Sequence, residues 1–85
     1  MGEPYAIIKH PFVTEKTMNL LAENKLEFIV VRKATKHQIR SAVEALLDAK
    51  VVQVRTYIDK SGKHAICKFA PTHNVEDLAT RIGVF

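Results

Sequence analysis

The chain has no tryptophan, one cysteine, three glycines and three prolines, and each scarcity closes off a class of function. A single thiol, Cys67, cannot form an intramolecular disulfide or a four-cysteine zinc cage, and it points to a reducing compartment. Gly2, Gly62 and Gly83 are isolated, so there is no P-loop, no G-x-G-x-x-G cradle and no G-x-S-x-G elbow. They read as a terminus, a turn and a helix stop. No apolar run is long enough to cross a bilayer. The opening MGEPYAIIKHP also lacks the pattern of a secretory leader or a myristoylation signal. A cytoplasmic chain without membrane insertion is expected.

What is present is mostly aliphatic. Hydrophobic residues make up 47% of the 85 positions while aromatics supply 7%, enough for one compact core and not for two. A single domain over 1–85 follows. His10, His37, His64 and His73 invite a metal site, yet none lies at i, i+4 with another or beside a carboxylate pair. No metal or cofactor is expected. Cys67 shares its parity with Ala65 and Phe69, which places it on a buried face as a small hydrophobe and not as a nucleophile.

Periodicity orders the elements. Thr14 is placed to cap a helix through EKTMNLLAE, with Glu15 in its first turn and Asn24 at its end. KLEFIVV, residues 25–31, alternates as a half-buried strand. Thr35 and Gln38 form a capping box, and Ile39, Ala42, Val43, Leu46 and Leu47 give the following helix its apolar stripe. Its other face, with Lys36, His37, Arg40, Ser41, Glu44 and Asp48, reads as wet surface. Residues 51–58 put Val52, Val54, Thr56 and Ile58 on one side; past the turn DKSGK, HAICKF puts Ala65, Cys67 and Phe69 on one side. Asn74 can cap a last helix bearing Val75, Leu78, Ala79 and Ile82, which Gly83 stops. Val84 and Phe85 then form an apolar tail suited to packing back on the body.

These elements predict an α+β fold, a two-layer sandwich whose helices cover one face of a mainly antiparallel sheet. The alternation assigns the other face Lys25, Glu27, Ile29 and Val31, then Val51, Gln53, Arg55 and Tyr57, then His64, Ile66 and Lys68. Cations, an aromatic ring and exposed aliphatics together suit contact with RNA or with another protein. Between Lys50 and Lys68, five basic residues stand against Asp59 alone, so the whole formal excess of +4 falls in that segment. Lysines and arginines there would neutralise phosphates, and Tyr57 could stack on a base. Charge by itself is equally compatible with a solvated basic hairpin. The RNP1 aromatic pattern is missing, which favours recognition of shape and backbone over single-stranded sequence. A small regulatory domain binding a metabolite is the rival from another class. An acylphosphatase-type enzyme would need a phosphate-cradling arginine loop that is not visible.

At HPFVTEK, NKLEFIV, AVEALLDAKVVQVRT, SGKHA and ATRIGVF, in that order, the chain resembles the large-subunit ribosomal protein twenty-three family in its short archaeal form. The similarity covers almost the whole chain. It implies a four-stranded β-α-β-α-β-β-α fold, no enzymatic activity, and a place at the rim of the polypeptide exit tunnel among neighbouring ribosomal proteins. The family's rRNA contacts fall here on Asn24, Lys25, Lys36, Arg55, Thr56, Gly62 and Lys63. Tyr57, His64 and Lys68 on those strands, and Lys60 in the turn between them, join that set. Val13, Thr14, Glu15 and Lys16 match the corner at which signal recognition particle and the protein-conducting channel dock, with Glu15 facing a basic groove. Arg55 stands where the family has asparagine, and the DKSGK loop is far shorter than the bacterial extension, so no reach into the tunnel lumen is expected.

Overall fold

Among residues 4–82, which the computed structural model describes, a turn of helix α1 (Pro4–Ile7) leads into β1 (Ile8–Pro11). Then come α2 (Glu15–Met18, continued as a 3-10 turn over Asn19–Glu23), β2 (Lys25–Val30) and α3 (Lys36–Leu47). β3 (Val51–Asp59), β4 (Gly62–Phe69) and α4 (Val75–Arg81) complete the order. The α+β class and the β-α-β-α-β-β-α succession match the sequence expectation, with α1 as an extra turn ahead of it. Gly83, Val84 and Phe85 lie outside the described residues.

The sheet order is β1-β2-β4-β3 with every neighbouring pair antiparallel. β2 and β3 therefore run parallel on either side of β4, and α3 carries the chain across. Ile39, Ala42, Val43 and Leu47 of α3 and Val75, Leu78 and Ala79 of α4 bury against Leu26, Phe28, Val30, Val54, Ala65, Cys67 and Phe69. Each fully buried large aliphatic contributes about 1.5–3 kcal/mol of transfer free energy. Cys67 sits in this layer as its parity predicted, and burial pushes its thiol up to about 12. Arg81 Nη1 donates to the Leu47 carbonyl at 3.0 Å, satisfying an end of α3 from α4.

Three local departures shape the surface. Thr14 caps α2 as expected, but its capping-box partner is Thr17: the Thr17 N–H donates to Thr14 Oγ1 at 3.1 Å and the Thr14 N–H donates to Thr17 Oγ1 at 2.7 Å. The α-helix lasts one turn before tightening, and Asn24 ends it in the left-handed region at φ 62°. At the start of β3 the register shifts between Val51 and Gln53, so Val51 and Val54 are both buried while Val52 is exposed. Strict alternation had placed Val51 outside and Val52 inside. The bulge reverses them. Glu44 of α3 accepts the Val51 N–H at 2.9 Å, and so is a clamp on the bulge, not free wet surface. The hairpin then closes in two residues, Lys60 and Ser61, with Gly62 at φ +124°.

Candidate nucleic-acid interface

Three rows cross the sheet face turned away from α3: Lys25–Lys68–Gln53, Glu27–Ile66–Arg55 and Ile29–His64–Tyr57. They contain the residues that alternation assigned to this face, apart from Val51, which the bulge turns inward, and Val31, which is half-buried past the end of β2. The rows differ in exposure. Lys68, Gln53 and Arg55 are exposed, and Lys25 makes only a 3.0 Å pair with the largely exposed Glu23. Such an exposed pair holds its lysine weakly. One end of the face is therefore cationic and open.

The other end is closed. His64 is 0% exposed and Glu27 6%, against the expectation that both would face solvent. The His64 ring is packed between Tyr57, stacked at 4.4 Å, and Phe12, which meets it edge-on at 4.7 Å. Phe12 comes from the loop before α2 and is fixed by its own N–H, which donates to the Glu27 carbonyl at 3.0 Å. His64 Nδ1 lies 2.8 Å from Glu27 Oε2, and Nε2 lies 2.8 Å from Asp59 Oδ1. Carboxylates only accept, so a ring nitrogen that carries a hydrogen donates to the carboxylate beside it, and Ser61 Oγ stands 3.1 Å from Nε2 as a third neighbour. Tyr57 donates its hydroxyl to Glu27 Oε2 at 2.5 Å. Ser61 donates through Oγ and N to Asp59 Oδ1. Hydrogen bonds from Ser61, and then from His64, lower the Asp59 carboxyl to about 2. Burial of its hydroxyl and the Glu27 hydrogen bond raise Tyr57 well above the usual phenol range.

Beside this cluster, α2 and the sheet enclose a cleft of about 380 Å³, with Phe12, Thr14, Lys16, Thr17 and Leu20 on one side and Glu27, Ile66, Tyr57 and Asp59 on the other. Val13, Thr14, Glu15 and Lys16 are exposed, and of these Thr14 and Lys16 line the cleft. Among the described residues no three His, Cys, Asp or Glu side chains are grouped to hold a metal ion.

Residues 6–77 match the family model described as Ribosomal protein L23. The chain belongs to that family. It is 47% identical to Large ribosomal subunit protein uL23 of Methanothermobacter thermautotrophicus, over 98% of this chain and 99% of the relative. The proteins of the same name from Methanobrevibacter smithii and Methanosphaera stadtmanae are 46% and 44% identical over the same shares. These are archaeal members of the L23 family, a structural and non-enzymatic group.

The positions that the L23 resemblance marked for rRNA do not form one patch. Lys25, Lys68 and Arg55 share the open end. Gly62 and Lys63, with Lys60 in the turn before them, lie at the opposite end of the sheet, about 17 Å away for five residues of strand, and Lys36 opens α3 beyond the end of β2. Lys63 has turned to the other side, where its Nζ donates to the Ala34 carbonyl at 2.6 Å and the Arg32 carbonyl at 3.3 Å. Thr56, opposite Ala65, also faces the helix side. Asn24 Nδ2 donates to the Phe69 and Ala70 carbonyls at 2.8 and 3.1 Å, so its amide donors lock the end of α2 to β4. His64 has no exposed surface to offer RNA, against the expectation that it is a contact. Sequence reasoning missed Phe12, Asp59 and Ser61. Only the register, which brings Glu27, Ile66 and Arg55 into line beside Ile29, His64 and Tyr57, reveals the cluster they complete.

Proposed function

We propose that this chain is a structural constituent of the large ribosomal subunit, acting in the cytoplasm as a single rRNA-binding domain at the rim of the polypeptide exit tunnel. The observation that carries this reading is the end-to-end match to archaeal proteins named for that subunit. Lys25, Lys68 and Arg55 make one phosphate-binding end, and Lys36, Lys60 and Lys63 around Gly62 make a second. Tyr57 keeps an outer surface, 42% exposed, on which a base or ribose can lie. Two separated basic ends on a domain 28 Å across suit a junction of RNA segments better than one groove.

The Val13–Lys16 corner, in the same reading, is the docking point for signal recognition particle and the protein-conducting channel, with Glu15 as its charged contact. Glu15 is exposed and its neighbour Thr14 caps α2, so the corner is presented in a fixed shape. Sedimentation of the tagged chain with large ribosomal subunits tests the assignment. A chain that stays at the top of the gradient refutes it. Glu15→Ala is expected to leave assembly intact and to weaken binding of signal recognition particle to assembled ribosomes; unchanged factor binding reduces Glu15 to a residue of the helix start.

A further inference from the structure

The sheet ends on one side in a long strand with a free edge. β3 is terminal in the order β1-β2-β4-β3 and runs nine residues, Val51–Asp59. Asp59 and Gly62 flank the two-residue turn as a hydrogen-bonded pair, so the ladder alternates back through Tyr57, Arg55 and Gln53, whose backbone groups face β4. Those of Val54, Thr56 and Ile58 point outward, and among the described residues no turn, loop or cap hydrogen bond reaches them. Four large hydrophobic side chains stand exposed among the described residues, and three of them, Val52 (45%), Tyr57 and Ile58 (55%), are on this strand. Past the bulge at its start, β3 has neither a proline nor a further register shift, two of the devices that blunt a sheet edge. Its edge charges, Arg55 and Asp59, are of opposite sign.

We propose that two copies of the free chain pair antiparallel along β3, about a twofold axis at Tyr57, and join their sheets into one. Such a pair must set outward-pointing residues against outward-pointing residues, and the central choices of axis are Arg55, Thr56 and Tyr57. An axis at Arg55 brings that guanidinium against its own copy. An axis at Thr56 puts Asp59 opposite Gln53 and leaves Arg55 without a carboxylate. The axis at Tyr57 puts Arg55 opposite the partner's Asp59, and by symmetry does so twice. Asp59 has the acceptor for it: the hydrogen bonds from Ser61 and the contact with His64 all end on Oδ1, and the side chain is 46% exposed, so Oδ2 is open. In the same register Thr56 exchanges backbone bonds with the partner's Ile58, and each Ile58 side chain is covered across the new seam. A strand from another protein has no reason to match Arg55 with Asp59 in both directions. The overlap, residues 54–60 of each copy, is short and belongs with weak, transient interfaces. It takes up Arg55, assigned above to RNA, so the pair is a state of the chain outside the ribosomal subunit.

The test is sedimentation of the full chain, free of RNA, over a concentration series, with NMR spectra of the ¹⁵N-labelled chain at the same concentrations. A monomer–dimer equilibrium is expected, with a dissociation constant of about 0.1–1 mM. Its concentration-dependent shifts should fall on the amides of Val54, Thr56 and Ile58, and a mixed-label sample should show a contact between Thr56 of one copy and Ile58 of the other. Ile58→Lys, which puts a like charge on both sides of the seam at an exposed position, is expected to weaken association at least about tenfold. Arg55→Glu removes both ion pairs and should weaken it about twofold to thirtyfold, the range of two exposed pairs. Lys33→Ala, away from β3, should associate as the parent chain does, and melting curves show that each variant is folded. A chain that stays monomeric up to about 2 mM leaves the edge to another protein's strand and overturns the proposal. Association that Ile58→Lys does not weaken, or shifts that spare Thr56 and Ile58, overturns it as well. Association at the same amides that Arg55→Glu leaves unchanged overturns the axis at Tyr57.

Discussion

Tyr57 lies flat on His64, with ring centroids 4.4 Å apart and planes within 6° of parallel. The stack joins neighbouring strands, since Tyr57 is on β3 and His64 on β4, and Glu27 of β2 bonds to both. Phe12 adds the loop before α2. A basic hairpin and the exposed corner at Glu15 are thus fastened to one polar cluster on the face away from the main core. Phe12, the first residue after the His-Pro pair, is the pin that presses HPFVTEK onto the sheet.

Removing the Tyr57 hydroxyl isolates one link of that cluster. Tyr57→Phe keeps the stack but takes a donor from a buried carboxylate, with an expected loss of about 1–2 kcal/mol. For a domain of this size that lowers Tm by roughly 4–15 °C. Thermal unfolding followed by circular dichroism measures it, and a change within error shows that Glu27 finds another donor from solvent.

Alkali should act on the same bond. The folded-state pKa of Tyr57 is raised above its ordinary 10.0 by burial, then by the Glu27 hydrogen bond and the charges of Glu27 and Asp59. A raised acid contributes stability that is complete below the unfolded value and is lost as pH climbs from there toward the folded one. Absorbance of the phenolate should therefore show Tyr57 lagging behind a free phenol above pH 10 and ionising together with unfolding. Titration of Tyr57 at its ordinary value in the still-folded chain contradicts this.

Asn24 separates structure from recognition. Asn24→Ala removes two donors to β4 and puts a β-carbon residue without a local hydrogen bond at φ 62°, for an expected cost of about 2–3 kcal/mol. Asn24→Gly recovers about 1 kcal/mol of it by relieving the backbone. RNA affinity, measured at a temperature where each variant is folded, should fall less than in Lys25→Ala. A larger fall in Asn24→Ala restores the side chain to the RNA contacts.

Facing was legible in the sequence and covering was not. Alternation placed Lys25, Glu27 and Ile29 with His64, Ile66 and Lys68 on one side because a strand has a period of two. It failed at Val51 because a bulge adds a residue without a mark in composition, and the two adjacent valines, Val51 and Val52, let either be the buried one. It failed differently at His64, whose direction was right. What buries it is a phenylalanine 52 positions earlier in the chain, and no local pattern carries a contact of that separation. Lys63 belongs to the same class of miss: its charge was plain, but the Ala34 carbonyl that holds it became visible only when the β2–α3 loop was placed beside β4.

Salt dependence distinguishes the two basic ends. Lys68 and Arg55 are exposed and make no ion pair among the described residues, so Lys68→Ala and Arg55→Ala should leave Tm nearly unchanged. Each should lower the slope of log affinity for a large-subunit rRNA fragment against log salt by about 0.9 if it neutralises one phosphate of a duplex. Lys63→Ala is expected to lose affinity and also about 1 kcal/mol of stability, because its ammonium bonds a carbonyl at 2.6 Å. Lys33→Ala, outside both assigned groups, should have the smallest effect. Filter binding across a salt series with matched melting curves gives both quantities. Equal slope losses from all four variants would mean that the chain attracts RNA through its overall charge, and the division into two ends would have to be given up.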